Sequence, residues 1–136
     1  VPLPIDDHVQ AVWRDSLIYV VAGWSNTGHV TNVQIYNPTT DTWSVGAPIP
    51  NTYDYRAFGA SGVFIGDTLY YMGGARTGLA YPAAPELRKG VVDPSNPTQI
   101  SWSYQVYFNT AGYRMAPAVL GDWANDVTAG QQGYSA

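Results

Sequence analysis

The chain has 136 residues, about the length of one ordinary domain. Only 12% of them are charged and 14% are aromatic, which argues against disorder over most of the length. The formal net charge is −4, Lys89 is the sole lysine, and Arg14, Arg56, Arg76, Arg88 and Arg114 are scattered singly, so the clustered basic surface that nucleic acid requires is absent.

The residue types exclude more. There is no cysteine, which removes disulfides, thiolate catalysis and Cys-ligated zinc but leaves the compartment open. No apolar run approaches the roughly 18 residues that span a bilayer. The opening Val-Pro-Leu-Pro-Ile lacks an initiator Met and a signal-peptide pattern, and reads as the start of a processed or excised chain.

In chain order, Pro2-Leu3-Pro4 returns as Pro48-Ile49-Pro50, so the first residues read as the tail of one repeat. His8 to Trp13 is β-prone, Arg14-Asp15-Ser16 is a hairpin turn, and Leu17 to Val21 is a strand covered on both faces. Ala22-Gly23 and a loop, Trp24 to Thr31, follow. Val33-Gln34-Ile35-Tyr36 is the third strand, Asn37 to Asp41 a turn, and Thr42 to Val45 the fourth strand. Four strands over this length form one antiparallel meander.

A second copy follows. Ala57 to Ile65 is its first strand, Gly66-Asp67 its turn, and Leu69 to Gly74 its second strand with a diglycine. The loop Ala75 to Glu86 is longer than its counterpart, and Ala84 to Lys89 has the composition for a single helical turn. Arg88 to Val92 is the third strand, Asp93 to Pro97 the turn, and Ser101 to Val106 the fourth strand. A third copy is expected from Gly112-Tyr113-Arg114, which echoes Asp54-Tyr55-Arg56. Beyond Asp122 the pattern dissolves. A period of about 50 residues with variable loops falls in the range of known β-repeat arrays. The class is all-β.

These residues carry a resemblance. Gly73-Gly74 with Trp102, and Ala22-Gly23 with Tyr36 and Trp43, follow the blade pattern of kelch-repeat β-propellers: a diglycine after the second strand, a spaced Tyr, then a Trp. Ala22 stands where a Gly is usual, and the second copy lacks the Tyr before its turn. The resemblance implies four-stranded blades, with residues 1–7 ending a preceding blade, 8–50 a first and 51–108 a second. Residues 109–136 would start a third blade or form a loosely ordered tail. Propellers typically close with four to eight blades, so the remaining blades are expected from a longer chain or from other copies.

The resemblance also places the first strand of each blade along a central funnel. There Arg56 and Arg114 are candidates for gripping a carboxylate through their planar forks. His8, beside Asp6 and Asp7, is a candidate general acid or base, and the alternative role is structural. Trp24, directly after Gly23, is a candidate recognition aromatic. His29 reads as a solvated loop residue. Trp43 and Trp102 read as packing residues. No Asp-x-Asp-x-Asp-Gly loop, nucleophile elbow, Walker loop or dinucleotide fingerprint is present, and Gly73 to Gly78 precedes no helix, so no metal or cofactor is expected. The expected role is a binding or scaffolding module for a protein or glycan, in an extracellular or cell-surface setting. The alternative is a sugar-acting enzyme like the kelch-type sialic acid mutarotases or galactose oxidases. The oxidase needs a Tyr–Cys cross-link, and this chain has no Cys.

Overall fold

The computed structural model describes residues 1–77, 80–107, 111–114 and 116–119. Its regular elements are all strands: β1 (Val9–Trp13), β2 (Leu17–Val21), β3 (Trp24–Ser25), β4 (Gly28–His29), β5 (Val33–Asn37), β6 (Thr42–Gly46), β7 (Ser61–Ile65), β8 (Thr68–Met72), β9 (Glu86–Asp93) and β10 (Asn96–Tyr107). They form two four-stranded antiparallel sheets, ordered β1-β2-β5-β6 and β7-β8-β9-β10, and one small hairpin, β3–β4. The described residues form no closed ring.

Local chemistry explains most of this. In β1 the sequence VQAVW alternates buried and exposed side chains, the period-two signature of a strand with one face on a core. Arg14 and Asp15 both take positive φ, 49° and 51°, the geometry of a two-residue hairpin turn whose twist matches its strands. Tyr19, Val20 and Val21 of β2 are buried on both faces, as an interior strand of a covered sheet requires.

The two sheets pack face to face, β1 beside β7 and β6 beside β10. Val9, Tyr19, Val21, Ile35, Leu69 and Tyr71 belong to one core cluster between them. Polar atoms at the seam are satisfied across it. The Tyr19 hydroxyl donates to the Pro97 carbonyl at 2.7 Å, and Trp102 Nε1 donates to the Ala47 carbonyl at 3.0 Å. Trp13 Nε1 donates to Asp67 Oδ1 at 3.0 Å, and Arg14 pairs with the same carboxylate at 2.8 Å. These donors hold the Asp67 carboxyl below its ordinary range, the Arg14 hydrogen bond contributing most. Trp102 thus joins the two sheets, as its packing role implied, while Trp43 packs on Tyr36 of its own sheet with ring centroids 4.9 Å apart.

Four expectations change. The loop Trp24 to Thr31 contains the hairpin β3–β4. The first strand of the second sheet begins at Ser61 rather than Ala57, because Phe58 is diverted into a bridge with Ala75. Ala84 to Lys89 is not a helical turn: from Glu86 the chain is strand β9, with Glu86, Arg88, Gly90 and Val92 in its buried phase. Two charged residues in that phase hide the alternation when only hydropathy is read. The turn after β9 also shrinks, since β10 already starts at Asn96. Of the expected third-blade start or tail, 109–136, all but residues 111–114 and 116–119 lies outside the described residues.

Two of the arginines scattered along the chain meet in space. Arg76 and Arg88 converge on Glu86, and all three side chains are buried. Arg88 is fully enclosed and also donates to the carbonyls of Gly73 at 2.8 Å and Asp54 at 2.5 Å. Burial works against its charge, and these acceptors offset that cost.

Candidate functional site

The site begins with how each sheet starts. Asp6 and Trp24 bridge antiparallel through two backbone hydrogen bonds of 2.9 Å, and Phe58 and Ala75 do the same at 3.0 and 2.7 Å. Gly23 and Gly74 directly precede Trp24 and Ala75, and each must be glycine. A Cβ on Gly23, where φ is +108°, would lie 2.5 Å from the Asp6 carbonyl oxygen. One on Gly74, where φ is +95°, would lie 2.7 Å from Ala57 Cβ. The diglycine is thus a close-approach device. Ala22 takes the same left-handed conformation as Gly73, φ 56° against 66°, which costs an L-residue about 1 kcal/mol.

A hydrogen-bonded chain crosses these starts. The Gly59 N–H donates to the Asp7 carbonyl and the Arg114 N–H to the Gly59 carbonyl, both at 2.6 Å. All three residues have positive φ: 47°, 66° and 54°. Asp7 and Gly59 therefore occupy equivalent positions at the entrances of the two sheets, and Arg114 continues the same hydrogen-bonded series. The counterpart of Arg114 is Gly59 and not Arg56, which corrects the echo read from Asp54-Tyr55-Arg56. With no side chain at Gly59, the Arg114 side chain passes over it, its Cγ about where a Cβ would make contact at 3.4 Å. It reaches the Asp7 carboxylate at 2.8 Å.

Two adjoining clefts lie at this rim and share Asp7, Gly59 and Arg114. The larger, about 390 Å³, is walled by Trp24, Phe58, Tyr81 and Tyr113 with Asp6 at its edge. That volume is at the small end of the roughly 300–1,000 Å³ typical of ligand sites. The Trp24 and Phe58 rings meet edge to face at 5.0 Å and 66°, and Phe58 and Tyr81 at 5.8 Å and 83°. Tyr81 is 55% exposed and Tyr113 53%, so their rings are open to a ligand. Ala80 and Tyr81 both carry positive φ, 63° and 46°, and this strained loop presents Tyr81 to the cleft.

The smaller cleft, about 290 Å³, runs between the inner strands β1 and β7 and is lined by His8, Gln10 and Ser61 among others. His8 Nδ1 is buried there with no hydrogen-bond partner among the described residues.

Of the residues nominated from sequence, His8, Trp24 and Arg114 are brought together at these clefts. Arg56 is exposed and lines neither. Phe58, Tyr81 and Tyr113 were not singled out. Their signal, an aromatic after each sheet's entrance or in its long loop, becomes readable only once the bridges are known.

His29 is also different from expectation. It is half-buried in β4, both ring nitrogens are shut from water, and burial is the main cause of a lowered proton affinity. Because the native pKa lies below the unfolded value near 6.5, the unfolded chain takes up the proton first as pH falls. Stability supported by neutral His29 is present above about pH 6.5 and is lost as pH drops through that value toward the native one. Denaturant titrations between about pH 7.5 and 5 should therefore show a falling midpoint that His29→Asn flattens. An unchanged slope in the variant would assign the effect elsewhere.

The Kelch motif matches residues 14–50, from the β1–β2 turn to the end of the first sheet. The solved structure of YjhT superposes with a TM-score of 0.67 at 17% identity, covering 90% of this chain and 33% of that one. The chain therefore spans about a third of the length of the protein it matches. No curated protein sequence matches it. Residues 14–50 match the Kelch motif, and each four-stranded antiparallel sheet has the architecture of a kelch-like β-propeller blade.

Proposed function

We propose that this chain is the ligand-recognising part of a binding module, engaging a protein or glycan at the aromatic cleft where its blades begin. The carrying observation is the pairing of open aromatic rings, Tyr81 and Tyr113 with Trp24 and Phe58 behind them, around one cavity. Aromatic residues supply large contact area with little rotamer entropy to lose, which suits recognition. The remaining blades of the ring and an extracellular or cell-surface setting belong to the same proposal.

The enzymatic alternative needs Arg56 and Arg114 to grip a carboxylate together with His8. Arg56 lines neither cleft, and the Arg114 guanidinium is already engaged by Asp7 across the blade boundary. Arrays of glycans and peptides probed with the intact protein test the binding reading. Trp24→Ala should lose at least about tenfold in affinity for any ligand that binds, whereas Trp43→Ala, on the outer strand of the blade, should retain it. Equal binding by wild type and Trp24→Ala would remove the cleft from consideration.

A further inference from the structure

We infer that the aromatic cleft takes a cationic group, of the quaternary-ammonium or methylated-amine class. This assignment rests on the binding reading above and adds the chemistry of the ligand.

An edge-to-face contact covers a face of one ring and leaves both faces of the other free. With Trp24, Phe58 and Tyr81 set at 66° and 83° to one another, the rings stand as successive walls rather than as a flat stack. Ring faces are negative, so a cavity lined by these aromatic residues favours a cation that meets a ring within about 6 Å of its centroid. The molecule already uses this contact elsewhere, with the Arg76 guanidinium 3.9 Å from the Tyr53 ring centroid.

The ionised groups at the cleft point the same way. Asp7 and Arg114 are paired at 2.8 Å and largely cancel. Asp6 remains. It lies directly opposite Trp24 across an antiparallel bridge, so the two side chains leave the same face. Asp6 is exposed, and its carboxylate makes no hydrogen bond or ion pair among the described residues. Two carboxylates, Asp6 and Asp7, share one guanidinium, Arg114, so the described lining of the cleft carries one negative charge in excess beside its aromatic residues, which is complementary to a cation. An anionic ligand would instead need a free guanidinium, and the one at this cleft is engaged.

A methylated lysine of a partner protein is the occupant that accords with the binding reading above, and a choline headgroup is the competing outcome of the test. Titration calorimetry of the intact protein would use tetramethylammonium, choline, and 3,3-dimethylbutanol, the uncharged carbon isostere of choline. A trimethyllysine peptide, phosphatidylcholine vesicles and a panel of neutral sugars complete the set. The cations should bind about tenfold or more tightly than the isostere, since only they gain the cation–π and Asp6 terms. Trp24→Ala should abolish that binding. Asp6→Asn should weaken it several-fold and reduce its salt dependence, with an unchanged unfolding midpoint showing that the fold is intact. Binding of the peptide supports the methylated-lysine assignment, and binding of the vesicles alone overturns it in favour of a lipid headgroup. If the isostere or a neutral sugar binds as well as the cations, the cationic assignment is overturned while the cleft stands as a binding site. If no probe binds and array ligands also ignore Trp24→Ala, the binding reading falls with it.

Discussion

Gly23→Ala is expected to destabilise the protein by about 3 kcal/mol, combining left-handed strain of roughly 1–2 kcal/mol with overpacking of roughly 1–3 kcal/mol. The obstacle is backbone: the new methyl would sit 2.5 Å from the Asp6 carbonyl oxygen and 3.0 Å from His8 Cα. Neither can rotate away as a side-chain tip could. The bridge from Asp6 to Trp24 must open, and with it the entrance of the first blade. Gly66→Ala separates the two contributions, because Gly66 has φ +58° with nothing within 4 Å of an added Cβ. That variant should lose about 1 kcal/mol, the conformational part alone. Urea denaturation reads both as midpoint shifts at constant slope. Equal shifts for the two variants would show that close approach at Gly23 contributes nothing. Trp24 follows directly, so the Gly23 variant should also blunt ligand binding at the cleft.

The second large effect lies in the buried charge network. Glu86→Ala leaves Arg88, which has no solvent exposure, without its carboxylate and strips Arg76 of the same partner. Removing one member of a buried ion pair typically costs about 3–5 kcal/mol, because the charge left behind stays desolvated. The carbonyls of Gly73 and Asp54 still accept from Arg88, which keeps the expectation within that range rather than above it. A comparison comes from within the molecule. Arg14 and Asp67 form an ion pair whose side chains are 52% and 31% exposed, and Arg14→Ala should leave stability almost unchanged. A Glu86→Ala midpoint close to that of Arg14→Ala would show that water reaches the network.

How far the residues could be read without coordinates differs between strand and site. Tight turns announce themselves chemically: Asn37-Pro38 and Gly66-Asp67 sit where the turns are, because few other residues adopt their geometry. The strand β9 is less legible, since its buried phase carries Glu86 and Arg88, and hydropathy treats both as surface residues. Among candidate site residues, Trp24 was found through its neighbour Gly23, and Arg114 through an apparent repeat that proved to be offset. Phe58 and Tyr81 had no local mark. They meet because Phe58 bridges Ala75, and Ala75 also bridges Ala83 near Tyr81.

What this chain's residue order determines by itself is the architecture of the blade. Period-two alternation, left-handed glycines and turn residues act over a few neighbours, so they can be read along a line. What only the tertiary structure decides is which residues from different blades share a space. The alignment of Asp7, Gly59 and Arg114, the Arg76–Glu86–Arg88 cluster and the walls of the aromatic cleft all depend on contacts between segments distant in sequence. Loop insertions shift those segments by different amounts in each repeat, and only hydrogen bonding across the blade boundary sets their register.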